Sequence, residues 1–209
     1  MEEGVILTRI LAISDIHGHA DALHSLLHAA HYNNKQDLLI LLGDYTGNGA
    51  HNSKTIQYVK DLVNNGAIAL KGNHEQRLVD QKGINDPAYA NWSRFFSELP
   101  YFYEHNSYLF VHAGLRPGIP VSEQTADDMM NIRESFHQHH FTSLNKVIIF
   151  GHTPTYRLGA NLGSIWVNSD KIGIDTGANH GYFLSLVDLS NRIQYKVNVR
   201  ENVPAEMAF

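Results

Sequence analysis

Hydrophobic positions along this chain fall into two kinds of run. Short, nearly unbroken apolar stretches occur at Val5 to Ile13, Leu38 to Leu42, Ala67 to Leu70, Tyr108 to Val111 and Val147 to Phe150. Each is too short for a typical helix and ends in turn residues, so it reads as a buried strand. Between them, Leu23, Leu26, Leu27 and Ala30 make one apolar helix face over residues 20–31, and Ile56, Val59 and Val63 make another from about Asn52 to Asn64. Asp86-Pro87 reads as a cap and first-turn proline, opening a helix to about Ser97 with Tyr89, Trp92, Phe95 and Phe96 as core aromatics.

Strand, helix, strand, helix, strand in the first third predicts parallel pairing through right-handed crossovers. From Tyr101 onward the pattern is richer in strands: Tyr101 to Glu104, Tyr108 to Val111, Val147 to Phe150, Ile165 to Val167, Lys171 to Ile174, Tyr182 to Asp188 and Arg192 to Val199. One helix is expected between Glu123 and about His137. The closely spaced later strands predict a second, mixed sheet packed on the first. The fold class is therefore α/β, a two-sheet sandwich flanked by helices. No repeat or linker divides the chain, so residues 1–209 are expected to form one domain, with a loose tail from Glu201 to Phe209.

What stands at the strand ends is chemically selective. Asp15 and His17 follow the first run, Asp44 the second, Asn73 and His74 the third, His112 the fourth and His152 the fifth. Ligands of parallel sheets bind outside the carboxyl ends of the strands, where these side chains fall. Asp15 and Asp44 are 29 residues apart, as are Asp44 and Asn73, one strand-helix-strand unit each time. If those strands are neighbours, Asp44 can bridge two ions, Asp15 and His17 completing one site and Asn73, His112 and His152 the other. Two ions about 3.5–4 Å apart would clamp an oxygen displacement at phosphorus and lower the pKa of a bridging water. Any one of these residues has a bland reading as a turn, cap or surface group. Chance, however, would scatter them over both ends of the strands. His24, His28, His31, His51, His105, His137, His139, His140 and His180 lack such placement and read as solvated or structural.

Composition narrows the cofactor. The 209 residues contain no cysteine, which leaves oxygen and nitrogen ligands and favours two divalent ions, manganese first, with iron, zinc or magnesium as alternatives. Hydrophobic content of 43% and charge of 18% are those of a globular chain. A net charge of -5 offers no basic footprint, so no long nucleic acid partner is expected, although bound cations would still attract a small anionic substrate. The acidic Met1-Glu2-Glu3 start and the short run after it, broken by Arg9, suggest neither a signal peptide nor a membrane span, and a cytoplasmic location is expected.

Taken together, Asp15-x-His17-Gly18, Gly43-Asp44, Gly72-Asn73-His74-Glu75, His112-Ala113-Gly114, Gly151-His152-Thr153 and Asp175-Thr176-Gly177-Ala178 resemble the calcineurin-like metallophosphoesterases. The nearest branch is that of the phosphoprotein phosphatases, including small bacterial and phage serine/threonine phosphatases and the symmetrical dinucleoside tetraphosphatases. The resemblance implies that Asp15 and His17 hold the first ion, that Asp44 bridges, and that Asn73, His112 and His152 hold the second. It makes His74 the acid that protonates the leaving group and Arg133 a phosphate-binding arginine, the alternative for Arg133 being a helix-surface charge.

One departure stands out. After Gly43-Asp44 the branch reads x-x-Asp-Arg-Gly, whereas here Gly47-Asn48-Gly49 stands in that place, so a bidentate cation becomes a neutral amide donor. Asn48 is left as a phosphate-binding candidate, with Arg116 or Arg77 as possible replacements for the arginine. The expected activity is hydrolysis of phosphate esters or anhydrides by a metal-bridging hydroxide, foremost that of a serine/threonine-phosphatase-like monoesterase. Alternatives are a dinucleoside polyphosphate hydrolase, a phosphodiesterase or a catalytically weak metal-binding regulatory module; the partners implied are a small phosphorylated substrate, a nucleotide or a phosphoprotein. Loss of the arginine should penalise doubly charged monoesters most, and Gly47→Asp with Asn48→Arg should restore them.

Overall fold

A computed structural model describes residues 9–47, 49, 51–81 and 87–209. The first half runs β1 (Arg9–Ile13), α1 (Ala20–Ala29), β2 (Asp37–Leu41), α2 (Asn52–Asn64), β3 (Ile68–Ala69), α3 (Asn73–Asp80) and α4 (Pro87–Ser97). Then come β4 (Phe102–His105), β5 (Tyr108–Val111), α5 (Ala126–Asn131), α6 (Glu134–His137), β6 (Val147–Phe150), β7 (Trp166–Val167), β8 (Lys171–Gly173), β9 (Phe183–Asp188), β10 (Ile193–Asn198) and β11 (Pro204–Ala208). Val5 to Thr8 of the first predicted strand and the expected cap Asp86 lie outside the described residues, as does the side chain of Tyr89.

Two sheets carry the fold. One has the order β11-β10-β9-β1-β2-β3 and the other β4-β5-β6-β8-β7. β1, β2 and β3 pair in parallel, as the alternation with helices predicts. The pleat then sorts their apolar runs: Leu11, Ile13, Leu39 and Leu41 face α1 and α2, meeting Leu23, Leu26, Ile56 and Val59. Ile10, Ala12, Leu38 and Ile40 face the other way, onto Phe110, Ile149 and Ile172 of the second sheet. Both faces are covered, which is why these strands show no polar alternation. Truncating such a fully buried leucine to alanine costs about 2–5 kcal/mol. Arg9, the exception inside the first run, sits opposite Asp37 in the register. It grips that carboxylate through Nε (2.8 Å) and Nη2 (2.7 Å), pinning the starts of β1 and β2 together.

Three expectations need correction. β9 and β10 do not join the second sheet; β9 pairs antiparallel with β1, so the late strands extend the first sheet. The tail is not loose, because Pro204–Ala208 pairs antiparallel with β10. All five residues of this edge strand are exposed, so no apolar alternation marked it, and Pro204 stands at its first position, where a missing N–H is tolerated. The single helix between Glu123 and His137 is two, broken at Ile132 and Arg133, whose φ/ψ are -60°/147° and -134°/-102°. The break lets Met129 and Phe136 fill one core against β5 and β6 while Arg133 turns away from it.

Candidate dimetal centre

The six candidate metal ligands sit where the strands end. Asp15 and His17 follow β1, Asp44 follows β2, Asn73 opens α3 just after β3, and His112 and His152 follow β5 and β6. Because β1, β2 and β3 are neighbours, Asp15, Asp44 and Asn73 stand side by side. The second sheet delivers the two histidines from across the sandwich. Asp44 lies at the middle: its Oδ2 is 3.8 Å from His17 Nε2 and 3.7 Å from His74 Nε2, and its Oδ1 is 3.5 Å from His112 Nε2. Asp15 Oδ1 lies 3.5 Å from His17 Nε2, and Asn73 Oδ1 lies 3.1 Å from His112 Nε2. Two overlapping sets could each hold a cation, His17 with Asp44 and His74, and Asp44 with His112 and His152, the ligand atoms of each lying within 4.8 Å of one another.

The backbone is bent to achieve this. Asp15, His17, Asp44 and His152 all have left-handed φ, between 48° and 64°, a conformation costing about 1–2 kcal/mol for a residue with a Cβ. Hydrogen bonds between the two loops hold it: Asp15 N donates to Gly43 O, His17 N to Asp44 O and Gly18 N to Tyr45 O. Glu75, wholly buried, accepts from Asp44 N (2.8 Å), Gly72 N (3.0 Å) and Tyr45 N (2.9 Å), so the start of α3 braces the Asp44 loop. Burial and the neighbouring Asp44 raise its carboxyl pKa to about 7.

Ring orientation is set by carbonyl groups, which can only accept. His17 Nδ1 donates to Thr46 O at 2.9 Å and His112 Nδ1 to Leu42 O at 2.8 Å, so both Nε2 atoms face the centre. Burial lowers the pKa of His152 to about 3, aided by His112 and Arg133, which leaves its imidazole neutral with a lone pair free for a cation. Burial alone would lower His17, but its hydrogen bond to Asp15 and the charges of Asp15 and Asp44 raise it to about 9. Asp15, pushed up by burial, ends below the usual carboxylate range because of His17. Asp175, which the six-ligand set omits, is driven well above its ordinary value by burial and by Asp15. Three crowded, buried carboxylates with imidazoles turned toward them fit a centre made for divalent cations.

Above this cluster lies a cleft of about 330 Å³. His74 lines it at the N-terminus of α3, its pKa lowered by burial against the opposing pull of Asp44. Arg133 lines it too, its Nη1 donating to Thr153 Oγ1 at 3.1 Å. Arg116 is elsewhere: its guanidinium grips Asp128 at 2.8 and 2.5 Å, and it does not border the cleft. Asn48 lies outside the described residues. Arg77, Arg157 and His180 also line the cleft. Arg157 carries no motif signal, and His180, expected to be solvated or structural, is placed by the turn after β8. The Asp175-Thr176-Gly177-Ala178 motif was the one available pointer to that wall.

Gly47 corrects a further expectation. A Cβ there would lie 2.4 Å from His17 Nδ1 and 2.7 Å from its Cβ, so no side chain fits while the ring keeps its bond to Thr46. Gly47→Asp therefore cannot simply restore the motif of the branch. Gly47→Ala is expected to displace His17 and lower the protein's manganese affinity by about 10- to 100-fold, the range for losing a group that orients a ligand. Isothermal titration with manganese chloride checks it, and wild-type affinity would show that the loop yields instead.

A family model described as calcineurin-like phosphoesterase matches residues 8–183. Among curated proteins, a symmetrical bis(5'-nucleosyl)-tetraphosphatase of Vibrio campbellii is 28% identical over 119 residues, covering 50% of this chain and 44% of the relative. One of Vibrio cholerae is 25% identical over 139 residues, covering 59% and 51%. The chain thus spans about half the length of the curated relatives it matches. Among solved structures, a candidate diadenosine tetraphosphatase superposes with a TM-score of 0.71 at 19% identity, covering 100% of this chain and 96% of the other. A cold-active protein tyrosine phosphatase gives a TM-score of 0.63 at 16% identity, covering 96% and 78%. At these identities the structural likeness speaks for the fold, while the family match spans most of the sequence: the chain belongs to the calcineurin-like phosphoesterase family.

Proposed function

We propose that this protein is a dimetal phosphoesterase acting first on phosphate monoesters, with Asp15, His17, Asp44, Asn73, His112 and His152 as metal ligands. The observation that carries the reading is the convergence of Asp44 with His17 and His74 on one side and with His112 and His152 on the other. Two divalent ions bound there, manganese by the donor set, would polarise the phosphoryl oxygens and ionise a water for attack. His74 borders both the metal cluster and the open cleft, which suits a proton donor to the departing oxygen. Arg133, held by Thr153, supplies a fixed bidentate cation for the phosphoryl group, and Arg77 offers a second beside His74. Asn48 stays a candidate phosphate contact by its place in the motif, whereas Arg116, committed to Asp128, is given no such role.

A second reading, hydrolysis of dinucleoside polyphosphates, draws on the names of the curated relatives and on the three arginines, Arg77, Arg133 and Arg157, around one cleft. Small phosphorylated substrates suit both readings, and among the described residues no helix is long and apolar enough to cross a membrane. Hydrolysis of nitrophenyl phosphate by the full chain with manganese tests the proposal. Turnover that a chelator abolishes and manganese restores is expected; no turnover with any divalent metal would favour a binding module.

A further inference from the structure

Beside the metal cleft opens a second cavity of about 350 Å³, and the two share His74 and Arg77 as walls. It lies among α2, α3 and α4, with Ile56, Leu78 and half-buried Trp92 as apolar walls and Thr46-Gly47 at its edge. Its one lining amide on α2, Asn52, is engaged: it accepts from Gly47 N at 3.0 Å and donates to Gly47 O at 3.2 Å. Among the described residues, His74 and Arg77 are the only charged side chains that line the cavity, and Gln81 adds an amide beside them. It therefore suits a flat, uncharged group joined to an anion held at the shared rim.

We propose that this cavity binds the nucleobase of a nucleoside phosphate whose nucleoside is the leaving group. The inference rests on the phosphoesterase reading above, in which His74 protonates the departing oxygen, so the wall shared at His74 is the leaving-group side. The two cavities meet at His74 and Arg77, so a base in this one and a phosphoryl group in the cleft would lie on either side of that shared wall. In the reaction the bond from phosphorus to the sugar O5' breaks and an oxygen from water joins phosphorus. The proton of His74 goes to O5', one proton of the water stays on the phosphate and the other restores His74, giving nucleoside and phosphate. Trp92 stacks on the base, and Arg77 sits over the phosphate at the rim.

The matched pair adenosine 5'-monophosphate and ribose 5-phosphate isolates the base, since both present the same phosphate and sugar oxygen. With the manganese-loaded full chain, kcat/KM for the nucleotide is expected to exceed that for ribose 5-phosphate by about 5- to 100-fold, the range of base stacking on an aromatic side chain. Trp92→Ala should bring the ratio near one, and Trp92→Phe should keep most of it. A wild-type ratio near one, a ratio unmoved by Trp92→Ala, or phosphotyrosine outrunning the nucleotide would each overturn the assignment. Binding is read independently in a Trp166→Phe background, where Trp92 is the remaining indole: adenosine should quench its fluorescence saturably and ribose should not. If no phosphate compound turns over, the phosphoesterase reading fails and the quench alone decides the cavity; absence of quench beside normal turnover of nitrophenyl phosphate sinks the cavity and spares the enzyme.

Discussion

Asp44→Asn is expected to remove both metal ions at once and to lower phosphatase turnover by more than about 10²-fold. One carboxylate faces both halves of the centre, Oδ2 toward His17 and His74 and Oδ1 toward His112. Losing a group that merely orients a ligand costs about 10- to 100-fold in metal affinity or activity, so losing a shared anionic ligand should cost more. The amide has the same shape and can still accept from His74 N, which now donates to Oδ1 at 3.0 Å, so the α3 start should hold. In metal-free protein the change removes one of three clustered carboxylates, and thermal unfolding should occur no lower than in wild type. Elemental analysis of both proteins, purified in parallel, gives the answer. Retention of one tightly bound ion by the variant would show that Asp44 does not bridge.

His74→Asn should separate substrates by their leaving groups. A group that donates a proton matters most when the departing oxygen is strongly basic, so an alkyl phosphate should lose about 10²- to 10⁴-fold in kcat, and nitrophenyl phosphate much less. His74 is well placed for selectivity of this kind: its ring sits edge-on to His17 at 4.8 Å and borders both cavities. Because its Nε2 also lies 3.7 Å from Asp44 Oδ2, His74 has a competing role as a metal ligand. The two roles give different results. A ligand would lower both substrates equally together with metal content, whereas a proton donor spares the metal and splits the substrates.

The strands and the polar side chains at their ends are legible for a common reason. Runs such as Leu38 to Leu42 are apolar because β2 is covered on both faces, and that condition is written into consecutive residues. The side chains at strand ends follow from the same local pattern, since a parallel strand has one carboxyl end and a turn must follow it. Asp15, Asp44 and Asn73 thus share one sequence pattern, and the adjacency of β1, β2 and β3 brings them together. Glu75 carries no such signal, since its role depends on backbone N–H groups of Asp44 and Tyr45, about thirty residues away, as well as on that of Gly72.

The amino-acid sequence by itself determined the family, the parallel first half and the six side chains at the strand ends, because these depend on short-range pattern. Only the tertiary structure placed the arginines: Arg77, Arg133 and Arg157 line the cleft, Arg133 from the break in the predicted helix, and Arg116 pairs with Asp128. The exclusion of a side chain at Gly47 and the cavity at Trp92 were likewise decided by packing, between His17 and the loop after β2 and among α2, α3 and α4. An exposed edge strand such as β11 escapes the pattern for the opposite reason, since its exposed residues leave its composition little constrained and backbone pairing with β10 places it.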